Sequence, residues 1–338
     1  MIRPDAQVLV IIVARIGDTL LVTPAMRALK AALPQGRLTV LAHPKRLEVL
    51  QHLPFIDALG AITKTSAQTR GWIGKSRFDA ALVYGQDAAL VRYALRASDK
   101  VLAFAQQDAK LNRSLAHLVQ EPAEPQHAVL HRLALLAPLG LTAENLRLAY
   151  CVTAAERAEA QGWLRGHVSS GGPLIGLQIA SFPTKAHRDW PASRFQELIG
   201  RMLATHAGAQ FLLLGDKVAA EKAAPLLRAY PDRVRLAAGS VSLRLSAALM
   251  AELDLYIGVD TGPTHLAGAL GIPMVALYHP AYPGRNLVPL QHPACVMIEH
   301  PLTGKSAETT ASMADIAVAP VCQAATELLA RKTTRVLQ

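Results

Sequence analysis

The sequence is poor in cysteine, in aromatic residues and in charge. Its three cysteines, Cys151, Cys295 and Cys322, have no CxxC spacing, which excludes a zinc ribbon and a disulfide framework and fits a reducing, cytosolic compartment. Charged residues make up only 18% of the chain, which argues against a coiled coil or a long solvated helix. Apolar residues make up 51% of the chain, which excludes a disordered protein. A length of 338 residues is typical of about two domains.

No apolar run is long enough to span a bilayer. The N-terminal run Val8–Ala14 stops at Arg15 and Asp18, well short of the ~20 apolar residues that a spanning helix needs. It lacks a small-residue cleavage site, so a signal peptide is not predicted. A buried parallel strand is the better interpretation of this run.

Positive charge is in excess, and the excess is uneven. The formal net charge is +10, and residues 1–165 hold 20 Lys and Arg against 13 Asp and Glu, whereas residues 166–338 hold 15 against 12. An anionic partner is therefore expected mainly for the first half. Nucleic acid is not the expected partner, because the cations are scattered, aromatic residues make up only 5% of the chain and no nucleic-acid-binding motif is present.

Short apolar runs alternate with amphipathic segments along almost the whole chain. Continuous apolar strands separated by helices of about 10–15 residues indicate parallel sheets covered on both faces. The predicted strands are 8–13, 38–42, 80–84, 100–104, 174–179, 210–214, 255–259 and 274–277. The predicted helices are 24–32, 45–53, 88–97, 126–139, 154–165, 193–206, 217–229, 243–251, 263–270 and 313–331.

A Gly- and Ser-rich stretch at 169–173 is predicted to be a linker. It divides the alternating strands and helices into two series. We therefore predict an α/β fold of two facing Rossmann-like domains with parallel sheets, spanning residues 1–168 and 174–338. The final helix could pack on either domain. Because ligands of open α/β sheets bind beyond the carboxyl ends of the strands, the expected site is a shared cleft lined by the loops that follow them.

The loop after the first strand carries Arg15, Gly17 and Asp18. Gly17 permits a tight turn, and Asp18 stands at or near the start of the next helix. Two interpretations of Asp18 are open: a carboxylate that caps the helix, or a general base that accepts the proton of an attacking hydroxyl. The loop is not GxGxxG, so the dinucleotide-binding fingerprint of a simple NAD enzyme is missing here.

The loop after the strand at 174–179 places Lys185, His187 and Arg188 at the entrance of a helix. Backbone N–H groups at a helix start already favour an anion, so a diphosphate is the expected ligand of these side chains. The alternative is a solvated basic loop in which Trp190 is a packing anchor.

The segment 256–273 is the most specific feature of the sequence. A strand leads into Asp260, and a helix begins at Pro263, a residue suited to a first helical position. The N–H groups and threonine hydroxyls of this turn are expected to bind phosphate oxygens, and Asp260 to bind sugar hydroxyls. The residues that offer the phosphate contacts are Thr261, Gly262, Thr264 and His265. The alternative is an ordinary strand–turn–helix with Asp260 as its N-cap.

Together these three segments resemble glycosyltransferase family 9, the group that includes the ADP-heptose:lipopolysaccharide heptosyltransferases. The resemblance covers essentially the whole chain. It rests on the GDxxxxTP element at 17–24, the PTK and RDWP elements within 183–191 and the DTGxxHLAxALGxP element at 260–273. It implies a GT-B fold, the two-Rossmann architecture already predicted, in which the N-terminal domain receives an acceptor and the C-terminal domain holds a nucleotide sugar.

The resemblance also implies roles for individual residues. Asp18 is the catalytic base, and Arg188, where a Lys is more usual, contacts the diphosphate with Lys185 able to share that task. The other implied donor-binding residues are Thr184, Asp260, Thr261, Gly262, Thr264 and His265, and the implied acceptor-binding residues are Arg15 and Gly17. An acidic residue often holds the ribose in relatives, and Asp216 and Glu221 are both open candidates for that role.

The resemblance predicts an inverting, metal-independent transferase that moves heptose from ADP-heptose to a lipopolysaccharide inner-core acceptor. The ADP-sugar is the donor substrate, and no cofactor is expected. Because no DxD metal–diphosphate motif is present, Arg188, Lys185 and the helix start after Gly262 are expected to stabilise the leaving group. The alternatives are transfer of another sugar or to another glycan, a sugar-nucleotide epimerase, and a non-catalytic relative that binds such ligands.

The acceptor that the resemblance implies is an acidic glycolipid. Together with the basic first half of the chain, it predicts a cytoplasmic protein in peripheral contact with anionic lipid at the inner face of the inner membrane.

Overall fold

The structure is a computed structural model that describes residues 2–70, 77–169, 171–305 and 309–336, with side chains up to Arg331. The chain divides into two compact units, Met1–Cys151 (unit 1) and Val152–Gln338 (unit 2). Each unit contains a six-stranded sheet in which every paired strand is parallel to its neighbour.

Unit 1 alternates strands and helices. Its strands are β1 Gln7–Ile12, β2 Arg37–Ala42, β3 Ala58–Ala61, β4 Phe78–Tyr84, β5 Ser98–Phe104 and β6 His117–Val119. Its α-helices are α1 Ile16–Leu20, α2 Thr23–Ala31, α3 Lys64–Thr69, α4 Ala88–Ala97, α5 Ala109–Arg113 and α6 Ala128–Leu133. Two 3₁₀ helices cover Pro44–Val49 and Ala134–Leu139.

Unit 2 repeats this alternation. Its strands are β7 Leu174–Gln178, β8 Gln210–Leu214, β9 Val234–Leu236, β10 Leu255–Val259, β11 Met274–Tyr278 and β12 Cys295–Glu299. Its α-helices are α7 Ala154–His167, α8 Ala192–Thr205, α9 Lys217–Lys222, α10 Ala224–Ala229, α11 Leu243–Ala251, α12 Gly262–Leu270 and α13 Val318–Val336. Its 3₁₀ helices cover Pro183–Arg188, Gly284–Asn286 and Met313–Asp315.

The two sheets have the same strand order. They read β3-β2-β1-β4-β5-β6 and β9-β8-β7-β10-β11-β12. In each unit the chain first builds one half of the sheet outward and then returns to the centre to build the other half. The order therefore reverses between β1 and β4, and between β7 and β10. Open α/β sheets bind ligands beyond the carboxyl ends of the strands, next to the pair of strands where the order reverses.

The strand β1 shows why the sheets are buried on both faces. Its residues Val8, Val10 and Ile12 pack into one apolar cluster, and Leu9 and Ile11 pack into another. Side chains alternate between the two faces of a strand, so a continuous apolar run is what a sheet covered on both sides requires.

All eight strands predicted from apolar runs are present. The four strands that the sequence did not reveal are β3, β6, β9 and β12, which are the four edge strands of the two sheets. An edge strand is less covered, and none of these four has a continuous run of buried residues. Without such a run the apolar signal for a strand is weak.

Several predicted helices differ from those in the structure, and proline accounts for two of the differences. The predicted helix 126–139 consists of α6 and a 3₁₀ helix that contains Pro138, and the predicted helix 217–229 is divided into α9 and α10, with Pro225 in the first turn of α10. Proline has no N–H to donate and cannot continue a helix without a break. The segment 45–53 is only a 3₁₀ helix at Pro44–Val49, and the final helix begins at Val318 rather than 313.

The boundary between the units lies earlier than the 169–173 stretch suggested. Helix α7 packs on α11 of unit 2, where Arg244 Nη2 lies 2.6 Å from Glu156 Oε2 and its hydrogen bonds hold the pKa of that carboxyl down at about 2. Within the 169–173 stretch, Ser170 lies outside the described residues. A Cβ atom on Gly172 would overlap the backbone of Gly208. This glycine is therefore needed for a close backbone approach inside unit 2.

The final helix α13 packs on α8 and on β10, β11 and β12, so it belongs to unit 2. Within the described ranges, no helix combines the length and the apolar character that crossing a membrane would require.

A substitution at Gly258 tests the packing beneath the turn that follows β10. A Cβ atom there would lie 2.5 Å from the Tyr256 hydroxyl and 2.8 Å from Gln178 Cβ, so we expect Gly258→Ala to lower the free energy of unfolding by about 1–3 kcal/mol. Urea denaturation measures this. The matched control is Gly166→Ala, in helix α7, where a Cβ atom meets nothing within 4 Å. That control should be neutral or stabilising by up to about 1 kcal/mol. Equal effects of the two substitutions would contradict the overlap at Gly258.

Candidate active site

In unit 2, cationic and acidic side chains meet beyond the carboxyl ends of β7, β10 and β11. Arg188 lies in the loop after β7, and Asp260 directly follows β10. Arg188 Nη1 donates to Asp260 Oδ2 at 2.8 Å, and both side chains are largely buried. His265 Nε2 lies 3.6 Å from the other oxygen, Oδ1, of the Asp260 carboxylate. Asp260 is thus the partner of Arg188 and not the helix cap, since the N-cap residue of α12 is Thr261.

Tyr282, in the loop after β11, contacts both cations of the β7 loop. The guanidinium carbon of Arg188 lies 3.5 Å from the centre of the Tyr282 ring, and Lys185 Nζ donates to the Tyr282 hydroxyl at 3.1 Å. The hydrogen bond from Lys185 and, to a smaller extent, the Arg188 guanidinium stabilise the phenolate and lower the pKa of Tyr282. The ring centre of His187 lies 6.0 Å from that of Tyr282. Burial, followed by the charges of Arg188 and Lys185, lowers the pKa of His187.

The turn into α12 uses more of its own polar groups internally than the sequence suggested. The Thr264 hydroxyl is buried between the Val259 carbonyl and the Tyr256 hydroxyl, and the Thr261 hydroxyl donates to the same carbonyl. The amides of Thr264 and His265 donate to the Thr261 carbonyl. These groups therefore have hydrogen-bond partners within the turn, and their phosphate contacts stay a prediction.

The loop that carries Lys185 and Arg188 is anchored at several points. Asp189 accepts from the Ser181 amide at 2.6 Å and from Lys222 Nζ at 2.5 Å. The Trp190 indole is buried, and its N–H donates to the Ile316 carbonyl at 3.0 Å. The prediction of Trp190 as a packing anchor is confirmed, and the cations of the same loop are held rather than freely solvated. Thr184 of this loop is exposed.

The two candidates for a ribose contact differ in their surroundings. Asp216 is the N-cap of α9 and accepts from the amides of Val218 and Ala219 at 3.0 and 3.3 Å. Glu221 lies exposed in the body of α9. Capping explains Asp216 without a ligand.

In unit 1, Asp18 lies in the first turn of α1, just beyond β1. Helix α1 has Arg15 as its N-cap residue and no side-chain capping hydrogen bond, so Asp18 does not cap it. The Asp18 side chain is 44% exposed. Gly17 is buried and Arg15 is exposed at the same turn. Asp18 is therefore an accessible carboxylate beyond the carboxyl end of β1, where open α/β sheets bind ligands.

A charged network that the sequence did not reveal joins Asp18 to the region beyond β4. Arg132 Nη2 lies 3.4 Å from Asp18 Oδ1, and Arg132 Nη1 lies 3.3 Å from His131 Nδ1. His131 Nε2 in turn lies 2.7 Å from Glu121 Oε2, and Gln86 donates to the same carboxylate. Burial, then the charge of Arg132, lowers the pKa of His131 although Glu121 acts in the opposite sense. Arg132 is 114 positions from Asp18, and no local pattern links the two.

In the part of the chain that the structure describes, no group of three or more His, Cys, Asp or Glu side chains could hold a metal ion.

The sequence model of glycosyltransferase family 9 (heptosyltransferase) matches residues 72–315. The chain belongs to this family and is a glycosyltransferase. Arg188 and Asp260 lie within the matched residues, whereas Asp18 precedes them.

Individual proteins agree with this assignment. Lipopolysaccharide heptosyltransferase 3 of Escherichia coli is 25% identical over 285 residues, which cover 78% of this chain and 80% of that protein. Three solved structures share the fold. The glycosyl transferase family 9 protein of Veillonella parvula has a TM-score of 0.83 at 22% identity and covers 98% of this chain and 99% of its own. E. coli ADP-heptose lps heptosyltransferase II has a TM-score of 0.79 at 22% identity and covers 97% of this chain and 99% of its own. E. coli heptosyltransferase WaaC with ADP has a TM-score of 0.70 at 18% identity and covers 95% of this chain and 99% of its own.

The expected GT-B fold with two Rossmann-like domains, and the expected family, are therefore confirmed. The same family assignment favours a transferase over the epimerase considered from the sequence.

Proposed function

We propose that the protein transfers heptose from ADP-heptose to the inner core of lipopolysaccharide, with inversion at the anomeric carbon and without a metal ion. The observation that carries the proposal is the group Lys185, Arg188 and Asp260 beyond β7 and β10, within a chain of the heptosyltransferase family. A relative of this chain is named for lipopolysaccharide heptose transfer, and one solved neighbour contains ADP.

The donor is assigned to unit 2. A diphosphate carries negative charge that grows on the leaving oxygen as the glycosidic bond breaks, and fixed cations stabilise this charge. Arg188 and Lys185 supply two such cations, and Asp260 orients Arg188 through a hydrogen bond of 2.8 Å. With these cations in place of a metal–diphosphate clamp, ADP leaves with the electron pair of the bond between its β-phosphate oxygen and the anomeric carbon.

The base is assigned to Asp18 of unit 1. Asp18 takes the proton of the acceptor hydroxyl, whose oxygen forms the new bond to the anomeric carbon from the face opposite to ADP. The transition state has oxocarbenium character, as in related glycosyl chemistry. The guanidinium of Arg132 lies beside this carboxylate, with Nη2 at 3.4 Å from Asp18 Oδ1.

The acceptor and the location are assigned from charge and family. An acidic glycolipid suits the seven-charge cationic excess of residues 1–165, and the same excess suits peripheral contact with anionic lipid at the cytoplasmic face of the inner membrane. Arg15, exposed at the turn that carries Asp18, is the proposed first contact for this acceptor.

Ligand-induced stabilisation tests the donor assignment. At a concentration of 100 Kd, a ligand that binds only the folded state stabilises it by about 2.7 kcal/mol, which raises the Tm by several degrees. We expect ADP and ADP-heptose to raise the Tm in this way, and UDP, GDP and their sugars to have little effect at the same concentration. A larger shift with UDP or a UDP-sugar would overturn the ADP-heptose assignment.

A further inference from the structure

Tyr282 contacts two neighbouring side chains that both carry positive charge. Lys185 and Arg188 are three residues apart in one short 3₁₀ segment, and both side chains reach the same phenol ring. Arg188 lies over the ring face, where the negative quadrupole attracts a cation. Lys185 Nζ donates to the hydroxyl oxygen at 3.1 Å and lies farther from the ring centre, at 5.3 Å. One side chain thus binds both cations, Arg188 through the ring face and Lys185 mainly through the hydroxyl.

The loop that carries Tyr282 is anchored by hydrogen bonds of His279. His279 Nδ1 accepts from the Ala281 amide at 3.2 Å, and the Tyr282 amide donates to the His279 carbonyl at 2.9 Å. The other ring nitrogen, His279 Nε2, lies 3.0 Å from the Ala311 carbonyl oxygen. Because Nδ1 is an acceptor, the ring is neutral with its proton on Nε2, and burial lowers the pKa of His279 in the same sense.

We propose that Tyr282 is a positioning residue of the donor subsite, which holds the guanidinium of Arg188 and the ammonium of Lys185 ready to bind a diphosphate. The inference rests on the proposed function, because it takes the donor to be a nucleoside diphosphate sugar. Two free cationic side chains would repel each other and would lose rotamer freedom when the diphosphate binds. Fixing them beforehand removes part of that cost from binding.

The same contact explains the arginine at position 188. A planar guanidinium stacks on an aromatic face, whereas a lysine ammonium is a compact charge that gains less from a ring. Tyr282 and Arg188 therefore act as a pair, and the contribution of Tyr282 to diphosphate binding depends on which cation stands at position 188.

Calorimetric titration with ADP and with inorganic pyrophosphate tests the proposal. We expect Tyr282→Leu to raise the Kd of both ligands about tenfold, because it removes the ring contact and the hydroxyl together. Tyr282→Phe keeps the ring and should raise both values only about two- to threefold. In an Arg188→Lys background, Tyr282→Leu should have less than half of its original effect on log Kd. Tyr230→Phe, which removes a hydroxyl that donates to the Gln196 carbonyl, is the matched control and should change neither Kd.

The outcomes separate this inference from the proposed function. A loss of affinity for ADP but not for pyrophosphate would place Tyr282 against the nucleoside and overturn the positioning role. Unchanged affinities for both ligands in Tyr282→Leu, or a loss in the Arg188→Lys background equal to that in the unmodified protein, would also overturn it. If the unmodified protein prefers UDP to ADP, the ADP-heptose assignment fails, while the pyrophosphate titrations still decide the role of Tyr282. Tyr282→Phe keeps the test open should the leucine variant fold poorly.

Discussion

Replacing Asp18 with asparagine is expected to lower kcat for sugar transfer by about 10²–10⁴-fold, because an amide cannot take the proton of the acceptor hydroxyl. Binding of the nucleotide donor should be nearly unchanged, since Asp18 belongs to unit 1 and the cations assigned to the diphosphate belong to unit 2. Stability should also change little. Asp18 makes no helix-capping hydrogen bond, and its side chain is 44% exposed.

Release of ADP from ADP-heptose in the presence of a lipopolysaccharide acceptor measures kcat, and titration with ADP measures donor binding. Asp5→Asn makes the same chemical change at a more exposed carboxylate of unit 1 and should leave both quantities unchanged. Turnover of Asp18→Asn at the rate of the unmodified protein would show that another group is the base.

Arg188→Ala is expected to raise the Kd for ADP by about 10- to 100-fold. The substitution removes hydrogen bonds from a cation to the diphosphate, each worth about 1.5–3 kcal/mol. It also removes the guanidinium that donates to the buried Asp260 carboxylate, while His265 Nε2 stays 3.6 Å from that carboxylate. An uncompensated charge at that position is unfavourable for an anionic ligand as well as for the fold.

Three further variants identify the cause of any loss in Arg188→Ala. Arg188→Lys keeps the charge and should recover most of the affinity, whereas Lys185→Ala measures the share of the second cation. Arg228→Ala removes an exposed arginine from α10 of the same unit and should leave the Kd unchanged. An unchanged Kd in Arg188→Ala together with a large increase in Lys185→Ala would transfer the diphosphate role to Lys185.

Much of the fold could be predicted from the sequence because its central strands are continuous apolar runs. The strand β1 is the clearest case, since five of its six residues are buried. The edge strand β6, with the sequence His-Leu-Val and two exposed residues, has no such run and exists because β5 offers it hydrogen bonds. A run of apolar residues in the sequence indicates a buried strand, so a strand with few buried residues has only a weak apolar pattern.

The candidate site was predictable in part for a similar reason. Lys185, Arg188 and Asp260 lie in loops directly after predicted strands, and the order of parallel strands brings such loops to one edge of a sheet. The Thr264 hydroxyl shows the limit of this reasoning. A threonine in the first turn of a helix can bond to a ligand or to its own chain, and here the Val259 carbonyl lies within its reach.

The sequence by itself determined the class of fold, the family and the loops that carry the functional groups, because apolar periodicity and motif spacing are local properties of the chain. Only the tertiary structure decided which side chains are partners. Tyr282 contacts Lys185 across 97 positions, and Arg132 contacts Asp18 across 114. These contacts depend on where distant segments of the chain meet in the fold and on which rotamers the packing allows, and the spacing of residues along the chain determines neither.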